Sequence, residues 1–134
     1  MWSIHEEGKV KRLIAPGLLV GLAAFAFAAG PTTETFKGEI SDSQCALNVH
    51  STNRGHEEML KGGMTGKTAA ECVKFCVENM GGKYVLASPK AVFRLNDGKK
   101  AEAFAGEKVV VRGTLDKKTN TIAIASIEKD TGAK

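Results

Sequence analysis

The sequence predicts a mainly β fold: a small five-stranded Greek-key barrel of the OB-like type, with one Cys-bearing helix inserted between strands 1 and 2 and an apolar leader helix ahead of it. Three observations carry this expectation. Five stretches between Thr35 and Glu128 alternate apolar and polar residues or run through β-branched ones. Turn residues separate most of them, and only one segment carries a strong helix-start signal. A chain of 134 residues has room for one domain, and its 43% hydrophobic and 25% charged residues place it among globular chains.

The leader comes first. Lys9, Lys11 and Arg12 precede a 17-residue apolar run from Leu13 to Ala29, and Ala26-Phe27-Ala28 offers the small residues that a signal peptidase's shallow pockets accept. Residues 1–28 are expected to be a cleaved signal peptide. The alternative is an uncleaved membrane anchor over residues 13–29. At about 1.5 Å per residue that run spans roughly 25 Å, short of a hydrocarbon core of roughly 30 Å. Either way the domain is expected outside the cytoplasm, periplasmic or secreted, where disulfides persist. The membrane is then touched only through an uncleaved leader.

Residues 29–34 form a linker, 35–129 the barrel domain and 130–134 a tail. Thr35–Asp42 places Phe36, Gly38 and Ile40 on one side and Lys37, Glu39 and Ser41 on the other, as a half-buried strand does. From Gln44 to Lys67 the pattern dissolves into a polar loop with Gly55, Gly62 and Gly63. Thr68-Ala-Ala-Glu71 is a capping box opening a helix that runs to about Met80, where Gly81-Gly82 stops it. The remaining strands are Lys83–Ser88, Ala91–Asn96, Lys108–Leu115 and Thr121–Glu128, with turn chemistry at Asn96-Asp97-Gly98 and Asp116–Asn120. Ala101–Gly106 reads as a connector of one helical turn. Gly113 inside Val109–Leu115 marks a bulge where the strand bends. Phe36, Ile40, Val85, Leu95, Val109, Val111, Ile122 and Ile124 are expected to form the core.

The order of elements also resembles a family of small exported bacterial proteins with an OB-like barrel and a Cys/His insertion. The residues that carry the resemblance are Gly38-Glu39-Ile40 with Asp42–Ala46, Glu71-Cys72 with Cys76-Val77, Gly81–Leu86, and Val111–Asp116 followed by Thr121-Ile122. They span Phe36 to about Ile127. The resemblance implies membership and no activity.

The net charge is +4, of which +3 lies beyond residue 30. That surplus is scattered, and no basic stripe interleaves with aromatics, so nucleic acid is not an expected partner. A protein or glycan partner is left open. The glycines and Lys67 of Gly62–Thr68 imitate a phosphate loop, but Lys61 stands where its first glycine belongs. No nucleophile–base set or carboxylate pair stands on a scaffold, so no catalytic residues are assigned and no enzyme is expected.

The chemistry to explain is sulfur. Cys45 follows the first strand, and Cys72 and Cys76 lie at i and i+4 on one helix face together with Val73, Val77 and Met80. The plain alternative is an apolar stripe in which free cysteines act as small hydrophobes. A structural staple would join Cys45 to Cys72 or Cys76, closing a loop of about 27 to 31 residues at a gain of about 3–4 kcal/mol. A third cysteine gains nothing from that bond. A transition-metal site for zinc or copper would use Cys45, Cys72, Cys76 and His50, with His50 preferred because it lies five residues from Cys45. His56, Met59 and Met64 sit further along the same loop. Thiol redox chemistry by Cys72 and Cys76 is the remaining alternative, without a Cys-x-x-Cys motif behind it.

Overall fold

The computed structural model describes residues 30–48 and 56–132. The leader, the proposed anchor and His50 lie outside the described residues. Among the described residues no helix is long and apolar enough to cross a membrane.

The fold is mainly β. Strands β1 (Glu34–Asp42), β2 (Tyr84–Ala87), β3 (Val92–Leu95), β4 (Lys108–Asp116) and β5 (Thr121–Lys129) close into a ring in the order β1-β2-β3-β5-β4. β1 serves both sides of the seam: Glu34–Glu39 pair with β4 and Glu39–Asp42 with β2. Neighbours are antiparallel except β3 and β5, which are parallel through Arg94–Thr121 and Leu95–Ile122. Closing the ring pairs β1 with β4, so neither stands as a free edge.

Turn chemistry sets the register. Asp116 Oδ1 accepts from Lys118 N at 2.8 Å, and Asn120 takes a left-handed φ of 53°, which reverses β4 into β5. The register of β4 against β5 shifts between Arg112 and Gly113, the expected bulge. A Cβ at Gly113 would collide with the carbonyl oxygen of Ala123 and come within 2.8 Å of Ile122 Cγ2. Gly113→Ala should therefore destabilise the domain by about 1–3 kcal/mol. Urea unfolding checks this, and an unchanged midpoint would mean the bulge relaxes freely.

Inside the ring Ile40, Leu86, Ala101, Val109, Val111, Ile122 and Ile124 are buried together, with Phe36, Phe93 and Leu95 packed against them half-buried. Two expectations need correction here. Leu86, not Val85, joins this cluster; Val85 is buried outside it, on the opposite face that strand alternation requires. Phe36 and Leu95 are only partly covered.

Helices fill the connections. The segment read as a polar loop carries two short helices, α1 (Ser43–Ala46) and α2 (Glu57–Lys61), ahead of α3 (Ala69–Asn79). Cys45 therefore sits in a helical turn of its own, and the cysteines come from two helices rather than one. Asp97 likewise does not close a hairpin. Its carboxylate accepts from Lys100 N at 3.1 Å and caps α4 (Gly98–Glu102), three residues earlier than the expected connector.

Candidate metal centre

Three elements meet outside the main core. Asp42 ends β1 and caps α1, its Oδ1 accepting from Gln44 N at 2.9 Å and Cys45 N at 3.0 Å. This carboxylate starts the turn that carries Cys45, so the strand end fixes where the sulfur goes. Ser43 then exchanges two hydrogen bonds with Lys83: its N–H donates to the Lys83 carbonyl, and its hydroxyl accepts from Lys83 N. Gln44 Nε2 donates to the Met80 carbonyl at 3.0 Å, tying α1 to the end of α3.

α3 begins at the expected capping box. Thr68 Oγ1 accepts from Glu71 N, and Glu71 Oε2 accepts from the backbone of Lys67 and Thr68. At its other end the Cys76 carbonyl accepts from both Met80 N and Gly82 N, while Gly81 takes φ 71°. A rigid, doubly capped helix thus presents Cys72 and Cys76 inward, both with no solvent exposure.

The three sulfurs converge: Cys45, Cys72 and Cys76 offer atoms that all lie within 4.8 Å of one another. Met59, Leu60 and Met80 cover them. The three thiols are free, with no pair bonded, so the disulfide expected of a staple is not formed here. A disulfide requires sulfurs at about 2.05 Å.

A second triad shares one member with the first. Asp42, Cys45 and His56 also lie within 4.8 Å through their ligand atoms, and all three are buried. His56 precedes α2, and its Nε2 meets Glu39 Oε1 at 2.9 Å. A carboxylate only accepts, so Nε2 carries a proton, and in the neutral ring Nδ1 then presents a lone pair. Among the described residues Nδ1 has no partner, and neither has Asp42 Oδ2. His50, the histidine preferred from the sequence, lies outside the described residues; His56, a further candidate on the same loop, is the one seen here beside Asp42 and Cys45, held by Glu39 of β1.

The electrostatics of this pocket favour a cation. Burial pushes the Cys45 thiol well above its ordinary value, and the Asp42 charge and the other two sulfurs push the same way. Burial and Asp42 raise Cys76 to about 12. Among the described residues no lysine or arginine pairs with Asp42 or the thiols. Such thiols are poor nucleophiles at neutral pH, the reverse of what disulfide exchange requires.

These shifts give the metal-free protein an alkaline weakness. The native state holds its Cys76 proton up to about 12, whereas the unfolded chain releases it near the ordinary 9.0. Above pH 9 the native state therefore binds more protons than the unfolded one, and stability falls as pH rises. Urea midpoints of the metal-free protein should drop between pH 8 and 10, and the drop should shrink in Cys76→Ala. Equal drops in both would remove the thiols as its cause.

Comparison of the chain with family models, curated proteins and solved structures finds no match.

Proposed function

We propose that the protein is an exported metal-binding module: an OB-like Greek-key barrel holding a transition metal, zinc or copper, on Cys45, Cys72 and Cys76. One observation carries this reading, the mutual approach of three buried, unbonded sulfurs within 4.8 Å. Sulfurs around a tetrahedral zinc at about 2.3 Å stand about 3.8 Å apart, so the cluster needs only small side-chain movement. Burial and the Asp42 charge disfavour thiolates here unless a cation neutralises them, so the cluster would bind a metal with release of thiol protons. The ring order β1-β2-β3-β5-β4 with its parallel β3–β5 pair supports the OB-like reading of the scaffold. Ala26-Phe27-Ala28 behind an apolar run supports export, and the motifs from Gly38 to Ile122 support a place among the small exported bacterial proteins that the sequence resembles.

The structural staple is the rival reading, favoured by the nearness of Cys45 to both helical cysteines. Native mass of the protein expressed with its leader and recovered from the exported fraction separates the two. Bound metal, with three alkylatable thiols after chelation and unfolding, is the expected result. A chain lighter by two hydrogens, metal-free and with one alkylatable thiol, would establish the staple instead.

A further inference from the structure

We infer that the sulfur cluster is one half of a two-ion centre: a second divalent cation sits among Asp42, Cys45 and His56, and the Cys45 thiolate is shared between the two ions. This rests on the metal-binding reading and extends it to a site with different donors.

Two observations point to an occupant beyond the sulfurs. Asp42 is fully buried; one carboxylate oxygen caps α1, and the other has no partner among the described residues. His56 is 8% exposed, and among the described residues Nδ1 is without a partner while Nε2 engages Glu39. Buried acceptors without partners are rare in folded proteins and costly. Here two of them flank one sulfur, and a ring nitrogen of His56, a carboxylate oxygen of Asp42 and Cys45 Sγ lie within 4.8 Å of one another. A metal ion bound between them would satisfy both groups at once.

The donors also divide. A single tetrahedral ion needs every donor close to every other, yet Asp42 and His56 form a mutual set with Cys45 and not with Cys72 and Cys76. Two triads meeting at one sulfur suit two ions bridged by a thiolate. Charge agrees with this division. Three thiolates and the Asp42 carboxylate carry four negative charges, and two divalent ions cancel them, whereas one would leave two buried charges without a counter-ion. The Glu39–His56 pair completes the arrangement in the usual manner of metal sites, a carboxylate fixing the tautomer and tilt of the ligating imidazole. The mixed sulfur, nitrogen and oxygen donors of the second triad suit zinc better than copper(I).

Zinc titration of the metal-free full-length mature protein, read by native mass and by competition with a chromophoric chelator, tests this. Two ions per chain are expected, falling to one in His56→Ala and in Asp42→Asn, the latter keeping an oxygen that still caps α1. Glu39→Gln should keep both ions and weaken one of them roughly 10–100-fold, which tests the second triad should either other variant fail to fold. A wild-type chain that saturates at one ion overturns the two-ion centre and leaves the sulfur site standing. Two ions retained in both His56→Ala and Asp42→Asn overturn its placement. No binding at all overturns this inference and the metal-binding reading together.

Discussion

Cys45→Ser should lower zinc affinity by more than about a hundredfold, a larger loss than removal of an outer-shell partner produces. Cys45 is the one donor common to both triads, and it is the least adjustable. Its backbone is fixed by the Asp42 cap, by the Ser43–Lys83 pair and by the Gln44–Met80 hydrogen bond, so no neighbouring residue can slide into its place. Serine keeps the size and the helical turn but offers a hydroxyl that does not ionise near neutral pH, and the soft donor is lost. Met59→Leu, which alters the apolar cover without touching the thiols, should leave affinity within a few-fold. Competition titration of the two variants makes the comparison. Equal affinities in Cys45→Ser and wild type would remove Cys45 from the site.

Leu86→Ala should cost about 2–5 kcal/mol of folding stability, a large share of the roughly 5–15 kcal/mol available to a small domain. Leu86 is fully buried in the ring, where Ile40, Val109, Val111 and Ile122 surround the same core. β2 is only four residues long, Tyr84–Ala87, and Leu86 pairs with Ile40 of β1 on one side and Phe93 of β3 on the other. Removing its side chain opens a cavity at a junction of three strands that cannot collapse without disturbing the seam. Denaturant unfolding measures the loss. A cost below about 1 kcal/mol would mean that Val85 is the inward residue and that the strand lies one position out of register.

That register is a place where the sequence was ambiguous. In Tyr84-Val-Leu-Ala87 neighbouring residues are all apolar, because the strand is covered on both faces, and alternation cannot say which one points inward. The long strands were legible for the opposite reason. β5 and the first half of β1 have a wet face, and the bulge in β4 is announced by a glycine interrupting the Val109–Leu115 run. The capping box at Thr68–Glu71 located α3 because it depends on two residues at fixed spacing. α1 and α2, four and five residues long, are too short to show any helical period. Their formation depends on the Asp42 cap, and on Glu57 and Glu58 pairing with Lys61.

The sulfur triad could be anticipated from the strand end and the helix face that carry it. Which histidine stands beside it is not legible in sequence, since loop reach alone favours the nearest one, His50, which lies outside the described residues. His56 is held by Glu39, 17 residues away in the chain but across a single hydrogen bond in space.

X-ray absorption at the zinc edge of the loaded protein tests the central claim most directly. The thiolate centre predicts a sulfur shell at about 2.3 Å that weakens in Cys72→Ser and Cys76→Ser. A spectrum holding only nitrogen and oxygen neighbours at about 2.0–2.2 Å would contradict it, because the three buried sulfurs would then bind no metal.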